Sequence, residues 1–92
     1  MALECGEHGV TVNAICPGFT RTPLVEAQIV DQARLNDMTE EKVVESIMLA
    51  PAAIKRLIDP EEIAALTRFL ASDDARSITG AAYTIDSGWT AR

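Results

Sequence analysis

Apolar and polar positions alternate in two distinct ways along the chain. The run Val10-Thr11-Val12-Asn13-Ala14-Ile15-Cys16 is rich in β-branched residues and is bounded by Gly9 and Pro17-Gly18, which predicts a strand over 10–16. Val10, Val12 and Ala14 fall on one face and Thr11, Asn13 and Ile15 on the other. Neither face is charged, the habit of a parallel strand covered on both sides. Residues 81–85 predict a second short strand, followed by a tight turn at Asp86-Ser87-Gly88 and a tail over 89–92.

Between the strands the spacing turns helical. Thr22 is placed to cap a helix with Pro23 in its first turn, and Leu24, Val25, Gln28, Ile29, Gln32 and Leu35 follow. Asn36-Asp37 interrupts it. Thr39 with Glu40 and Glu41 starts a second helix carrying Val43, Val44, Ile47 and Met48, and Pro51 closes that one. The apolar stripes of both are narrow, as in a mobile flap rather than a core. Asp59-Pro60-Glu61-Glu62 is the clearest helix start, with a capping-box glutamate, and it leads into the stripe Ile63, Leu66, Phe69 and Leu70. Residues 1–8, ending at Gly9, read as the last turns of a helix. The order strand, two flap helices, one well-formed helix, strand implies two parallel strands joined by a crossover, and two such strands need neighbours.

Composition narrows the function classes. Ninety-two residues make at most one small domain with a modest core. The net charge of -6, from 14 acidic and 8 basic residues, opposes binding to nucleic acid or to an acidic membrane surface. No apolar run reaches the roughly 20 residues of a membrane-spanning helix, and residues 1–5 have no basic, apolar leader pattern, so a cytoplasmic location is expected. Cys5 and Cys16 form neither a disulfide framework nor a metal signature and are expected to be buried or half-buried thiols. The pairs Glu40-Glu41, Glu61-Glu62 and Asp73-Asp74 read as helix starts and solvated turns, not acid–base dyads.

Three segments carry a resemblance. The run Gly9 to Gly18 followed by Thr22-Pro23, the run Arg56-x-x-Asp59-Pro60-Glu61-Glu62-Ile63-Ala64, and the run Gly80 to Trp89 with its Asp86-Ser87-Gly88 turn stand in the order and spacing of the short-chain dehydrogenase/reductase family. The resemblance covers essentially residues 1–92. It implies an α/β fold, the C-terminal part of a doubly wound, Rossmann-like parallel sheet. Thr22-Pro23-Leu24-Val25-x-x-Gln28-Ile29 and Gly88-Trp89-Thr90-Ala91 look most like the 3-hydroxybutyrate dehydrogenases of that family. Ser87 departs from the family's usual second turn glycine. The TGxxxGxG phosphate loop and the Tyr-x-x-x-Lys pair do not occur in these residues; the sole tyrosine, Tyr83, is followed four positions later by Ser87.

The resemblance implies roles for particular residues. The loop at the carboxyl end of a parallel strand is where α/β sheets take ligands. Pro17, Gly18, Phe19 and Thr20 would meet the carboxamide of NAD, and Thr22 the same group or the phosphates. A plain strand-ending turn and a simple N-cap are the bland alternatives. Gln28 and Trp89 would hold a small hydroxy-acid substrate; a solvated amide and interface packing are their alternatives. Asn13 and His8 carry no implied chemistry. The parent activity would be hydride transfer between NAD and 3-hydroxybutyrate, in a homo-oligomer joined through the last helix and strand, with these residues inactive and weakly folded alone. A 3-oxoacyl-carrier-protein reductase, or a non-catalytic module that pairs with a full-length relative, are the other expectations.

Overall fold

A computed structural model describes residues 1–91; Arg92, the end of the expected tail, lies outside the described residues. Helix α1 spans Ala2–Cys5 and runs into a 3-10 turn, Gly6–His8, that closes on Gly9 at φ 71°. Strand β1 is Ala14–Pro17, helix α2 is Pro23–Asn36, and helix α3 is Glu40–Val43, continued by a π-helical turn at Val44–Met48. Helix α4 is Pro60–Leu70, followed by a 3-10 turn at Asp73–Ala75 and by strand β2, Ala82–Ile85. The two strands pair in parallel, in the register Ala14↔Ala82, Ile15↔Tyr83, Cys16↔Thr84 and Pro17↔Ile85. The architecture is α/β, as the sequence implies.

The helix starts follow their caps. Thr22 Oγ1 accepts from Val25 N at 3.2 Å and Thr39 Oγ1 accepts from Lys42 N at 3.2 Å. Asp59 accepts from Glu61 N at 2.9 Å while Glu62 Oε2 accepts from Asp59 N at 2.8 Å, the two halves of a capping box. Arg56 braces the same glutamate at 3.1 Å, and that guanidinium, with the Asp59 amide, holds the Glu62 carboxyl below the usual range.

Three expectations change. The first strand begins at Ala14 rather than Val10, because the Asn13 side chain takes over the ladder there: its Nδ2 donates to Ile78 O and its Oδ1 accepts from Ala81 N, both at 3.1 Å. The helices read as a flap hold the core. Ile29, Val43, Met48, Leu49, Ala52 and Leu57 form one buried cluster, with Phe19, Val25 and Trp89 against it. Helix α4, with the stronger stripe, buries no residue, and Phe69 is 43% exposed. Finally, the sheet is covered on one side only among the described residues. Thr11, Asn13 and Ile15 share a groove with Thr67, Leu70 and Ala71 of the α4 region, whereas Ala14, Cys16, Ala82 and Thr84 are exposed. Cys16 is therefore an exposed thiol, not a buried one.

The molecule is extended as a result. Its radius of gyration is 17.0 Å, against about 12 Å for a compact chain of this length. Its accessible surface of 6438 Å² exceeds that of a typical folded 9.9 kDa monomer by about 1,200 Å².

Candidate functional site: the loops beyond the two strands

The carboxyl ends of β1 and β2 lie side by side, so the loops that follow meet. Gly18 N donates to Ile85 O at 3.0 Å, and a Cβ at Gly18 would stand 2.9 Å from Asp86 Cα. Only glycine permits that approach. The chain then runs beside the segment before α4: Ile58 N donates to Phe19 O at 2.9 Å and Arg21 N donates to Ile58 O at 2.8 Å. Ile58 thus engages the residues on either side of Thr20. In extended backbone, alternate peptide groups point to opposite edges, so the N–H and C=O of Thr20 face away from Ile58. A donor and an acceptor side by side suit a planar primary amide, which offers the reciprocal pair. The Thr20 hydroxyl donates to Gly18 O at 3.2 Å and stiffens the turn. The Thr22 hydroxyl oxygen caps α2, and its own proton remains available to donate.

The second loop is built on Asp86. Its Oδ1 accepts from Gly88 N at 3.1 Å, and its Oδ2 accepts from Thr90 N at 3.2 Å and from Thr90 Oγ1 at 2.7 Å. The Thr90 hydroxyl above all, helped by the backbone donors and opposed by desolvation, holds the Asp86 carboxyl below its ordinary value. Ser87 adopts φ 59° and Gly88 φ 85°, so the turn keeps its left-handed form despite the serine. Ser87 O accepts from both Ala53 N at 2.8 Å and Ile54 N at 2.9 Å, and a Cβ at Gly88 would stand 2.7 Å from Ala53 Cβ.

These loops bring Phe19 and Trp89 together. Their ring centroids are 5.6 Å apart at an interplanar angle of 63°, an edge-to-face pair. Such a pair contributes about 0.5–1.5 kcal/mol beyond area burial. It forms a shared wall between two grooves. One, of about 400 Å³, is lined by Cys16, Pro17, Gly18, Phe19, Asp86 and Trp89. The other, of about 460 Å³, is lined by Phe19, Gln28, Gln32, Ile47, Met48 and Trp89. Pro17, Gly18 and Phe19 thus sit on the first groove, Gln28 with Phe19 on the second, and Trp89 on both. Thr20 and Thr22 line neither.

Gln32, Ile47 and Met48 were not singled out as site residues. The signal for Gln32 is its position four residues after Gln28, on the same helix face. For Ile47 and Met48 no local signal exists, because the π-helical turn that carries both to the groove is not readable from an apolar stripe. His8 is exposed beside Glu7, away from both grooves. Among the described residues no His, Cys, Asp and Glu cluster could hold a metal, and no helix is long and apolar enough to cross a membrane.

Comparison with known proteins agrees with this geometry. The family model described as enoyl-(acyl carrier protein) reductase matches residues 1–90. The chain belongs to the short-chain dehydrogenase/reductase family. A D-beta-hydroxybutyrate dehydrogenase of Rhizobium meliloti (strain 1021) is 52% identical over 92 residues, which are 100% of this chain and 36% of that protein. A crystal structure of a short chain dehydrogenase family protein from Francisella tularensis subsp. tularensis SCHU S4 superposes with a TM-score of 0.85 at 31% identity, over 99% of this chain and 37% of that one. A 4-hydroxyisoleucine dehydrogenase mutant solved with NADH and succinate gives 0.79 at 33% identity, over 100% and 34%. The fold is therefore part of the Rossmann-like sheet of that family, and the chain spans about a third of the length of these relatives.

Proposed function

We propose that residues 1–92 provide the nicotinamide-side loop, the α2–α3 side of the substrate groove and the C-terminal wall of an NAD-dependent 3-hydroxybutyrate dehydrogenase. The observation that carries this reading is the convergence of Gln28, Phe19 and Trp89 on one groove beside the β1 exit loop. The 52% identity to a D-beta-hydroxybutyrate dehydrogenase supports the choice of substrate, and the NADH in a solved relative supports NAD.

NAD held by the β1 exit loop would supply the hydride acceptor for oxidation of 3-hydroxybutyrate at C3 to acetoacetate. The chain's residues bind and orient. The outward peptide edge of Thr20 pairs with the carboxamide, and the Thr22 hydroxyl donates nearby while capping α2. The Gln28 amide donates to the substrate carboxylate, and the Phe19–Trp89 pair excludes water from the reacting end. The hydroxyl proton leaves to a base of the Tyr-x-x-x-Lys kind, which residues 1–92 do not contain. Function therefore needs a companion segment, supplied in cis or in trans. A second copy docks through α4 and β2, whose apolar stripe and outer edge are open, and the assembly works in the cytoplasm.

A relative supports a second reading, reduction of a 3-oxoacyl group carried on a protein: a putative ketoacyl reductase of a polyketide synthase is 39% identical over 85 residues. Pairing the chain with a segment that carries TGxxxGxG and Tyr-x-x-x-Lys, and offering either 3-hydroxybutyrate with NAD or a 3-oxoacyl thioester with NADPH, separates the two. The expected preference is for 3-hydroxybutyrate, with Gln28→Ala lowering kcat/KM for it about 10- to 100-fold, the value of a hydrogen bond to a charged group. Preference for the thioester, or indifference to Gln28→Ala, contradicts the proposal.

A further inference from the structure

Trp89 is the sole tryptophan of the chain, and it stands at the wall shared by the two grooves. Its backbone sits in a turn: Trp89 N donates to Asp86 O at 3.1 Å and Ala91 N donates to Gly88 O at 3.2 Å. The ring is restrained by packing, edge-to-face on Phe19 and against the buried cluster, so its place depends on how the turn presents it. A separate set of contacts braces that turn. The Asp86 carboxylate reaches across the turn and takes both the amide and the hydroxyl of Thr90, the residue just beyond the tryptophan, so Trp89 is spanned by a closed clasp. The 2.7 Å hydroxyl–carboxylate bond is the short member, the length of a charge-assisted bond. Asp86 is itself fixed from the other side by Gly18, whose backbone packs against it at a distance no side chain would allow. The ring that Trp89 meets, Phe19, follows Gly18 directly and is tied to Ile58.

We infer that Thr90 is a positioning residue: with Asp86 it clasps the turn around Trp89 and so sets the aromatic wall of the substrate groove. The inference rests on the proposed function for what the wall faces, but the clasp itself does not. Thr90 borders the first groove, but its hydroxyl is engaged with Asp86. Its hydroxyl acts through Asp86 and the backbone on the ring of the preceding residue. Asp86 thus meets the β1 exit loop through its backbone, which packs on Gly18, and the turn around Trp89 through its carboxylate.

The test uses the sole tryptophan of the whole 92-residue chain as its probe. Acrylamide quenching and the emission maximum of Trp89 are measured in the unaltered chain, Thr90→Val and Thr90→Ser, with far-ultraviolet circular dichroism to compare helix content. Valine keeps the shape and removes the hydroxyl; serine restores the hydroxyl. The expected result is that Thr90→Val shifts the ratio of released to held Trp89 about tenfold or more, the net value of a hydrogen bond to a charged group. Its emission moves to longer wavelength at unchanged helix content, and Thr90→Ser returns both readings. Three results overturn the inference: equal quenching in all three chains, a Thr90→Ser chain that behaves like Thr90→Val, or an unaltered chain whose Trp89 quenches as freely as N-acetyltryptophanamide. None of these readings involves 3-hydroxybutyrate, so the clasp and the substrate assignment fail separately.

Discussion

Replacing Leu49 by alanine tests where the stability of this chain resides. Leu49 is 2% exposed and lies in the cluster formed by Ile29, Val43, Met48, Ala52 and Leu57. Its carbonyl also accepts from Ala52 N at 3.0 Å and Lys55 Nζ at 2.8 Å, so it joins α3, the π-helical turn and the segment leading to α4. Alanine removes three carbons, about 2.4 kcal/mol of transfer free energy at about 0.8 kcal/mol each. The cavity left behind raises the expected loss to about 3–4 kcal/mol. Hydrogen exchange read peptide by peptide is the assay. Exchange across α2 and α3 should quicken about 100-fold or more, since about 1.4 kcal/mol is a factor of ten. Exchange in α4 and in the β1–β2 pair, which contribute nothing to that cluster, should change far less. Equal acceleration everywhere would mean one cooperative core. No acceleration in α2 would mean that the helices are a loose flap after all, and either result refutes the placement of the core.

Other outcomes follow from single contacts. Gly88→Ala combines left-handed backbone strain with a 2.7 Å clash against Ala53; at about 2–5 kcal/mol it should detach the turn from residues 53–54 and free Trp89 to quenching, and an unchanged emission spectrum would count against it. Asp59→Ala should cost α4 about 1 kcal/mol through loss of the cap, visible as faster exchange confined to that helix. The Asp86 carboxyl titrates below its ordinary value, so its contribution is full above the unfolded value near pH 4 and is lost as pH falls through the folded one. Trp89 quenching should therefore be flat from neutral pH to about 4 and rise only below that; a rise between pH 5 and 7 would assign the control to another group.

Much of this architecture is legible in the residues because its signals are local. Thr22, Thr39 and Asp59 announce helix starts through hydroxyl and carboxylate acceptors that need only the next three residues. Pro17-Gly18 and Asp86-Ser87-Gly88 mark the strand ends because glycine alone allows the close approach at 18 and the turn at 88 demands positive φ. What stayed hidden is non-local. The start of β1 depends on Asn13 reaching Ile78 and Ala81, 65 and 68 positions away. The core location depends on α2 and α3 closing on each other, which two weak stripes achieve, whereas the stronger stripe of α4 faces surface that little of residues 1–91 covers. The exposure of Cys16 has the same cause, an uncovered sheet face. In the candidate site, the resemblance singles out Gln28 and Trp89, which line one groove, but the Phe19–Trp89 contact and the delivery of Ile47 and Met48 by the π-helical turn required the fold.

The most direct test of the central claim is NAD-dependent oxidation of 3-hydroxybutyrate, followed at the NADH absorbance band. It is run first on the purified 92-residue chain and then on the same chain paired with a segment bearing TGxxxGxG and Tyr-x-x-x-Lys. The account expects no turnover from the first and turnover from the second. Turnover by the 92 residues alone would mean that another group, with Tyr83 the first to examine, accepts the proton, and would contradict the division of labour argued above.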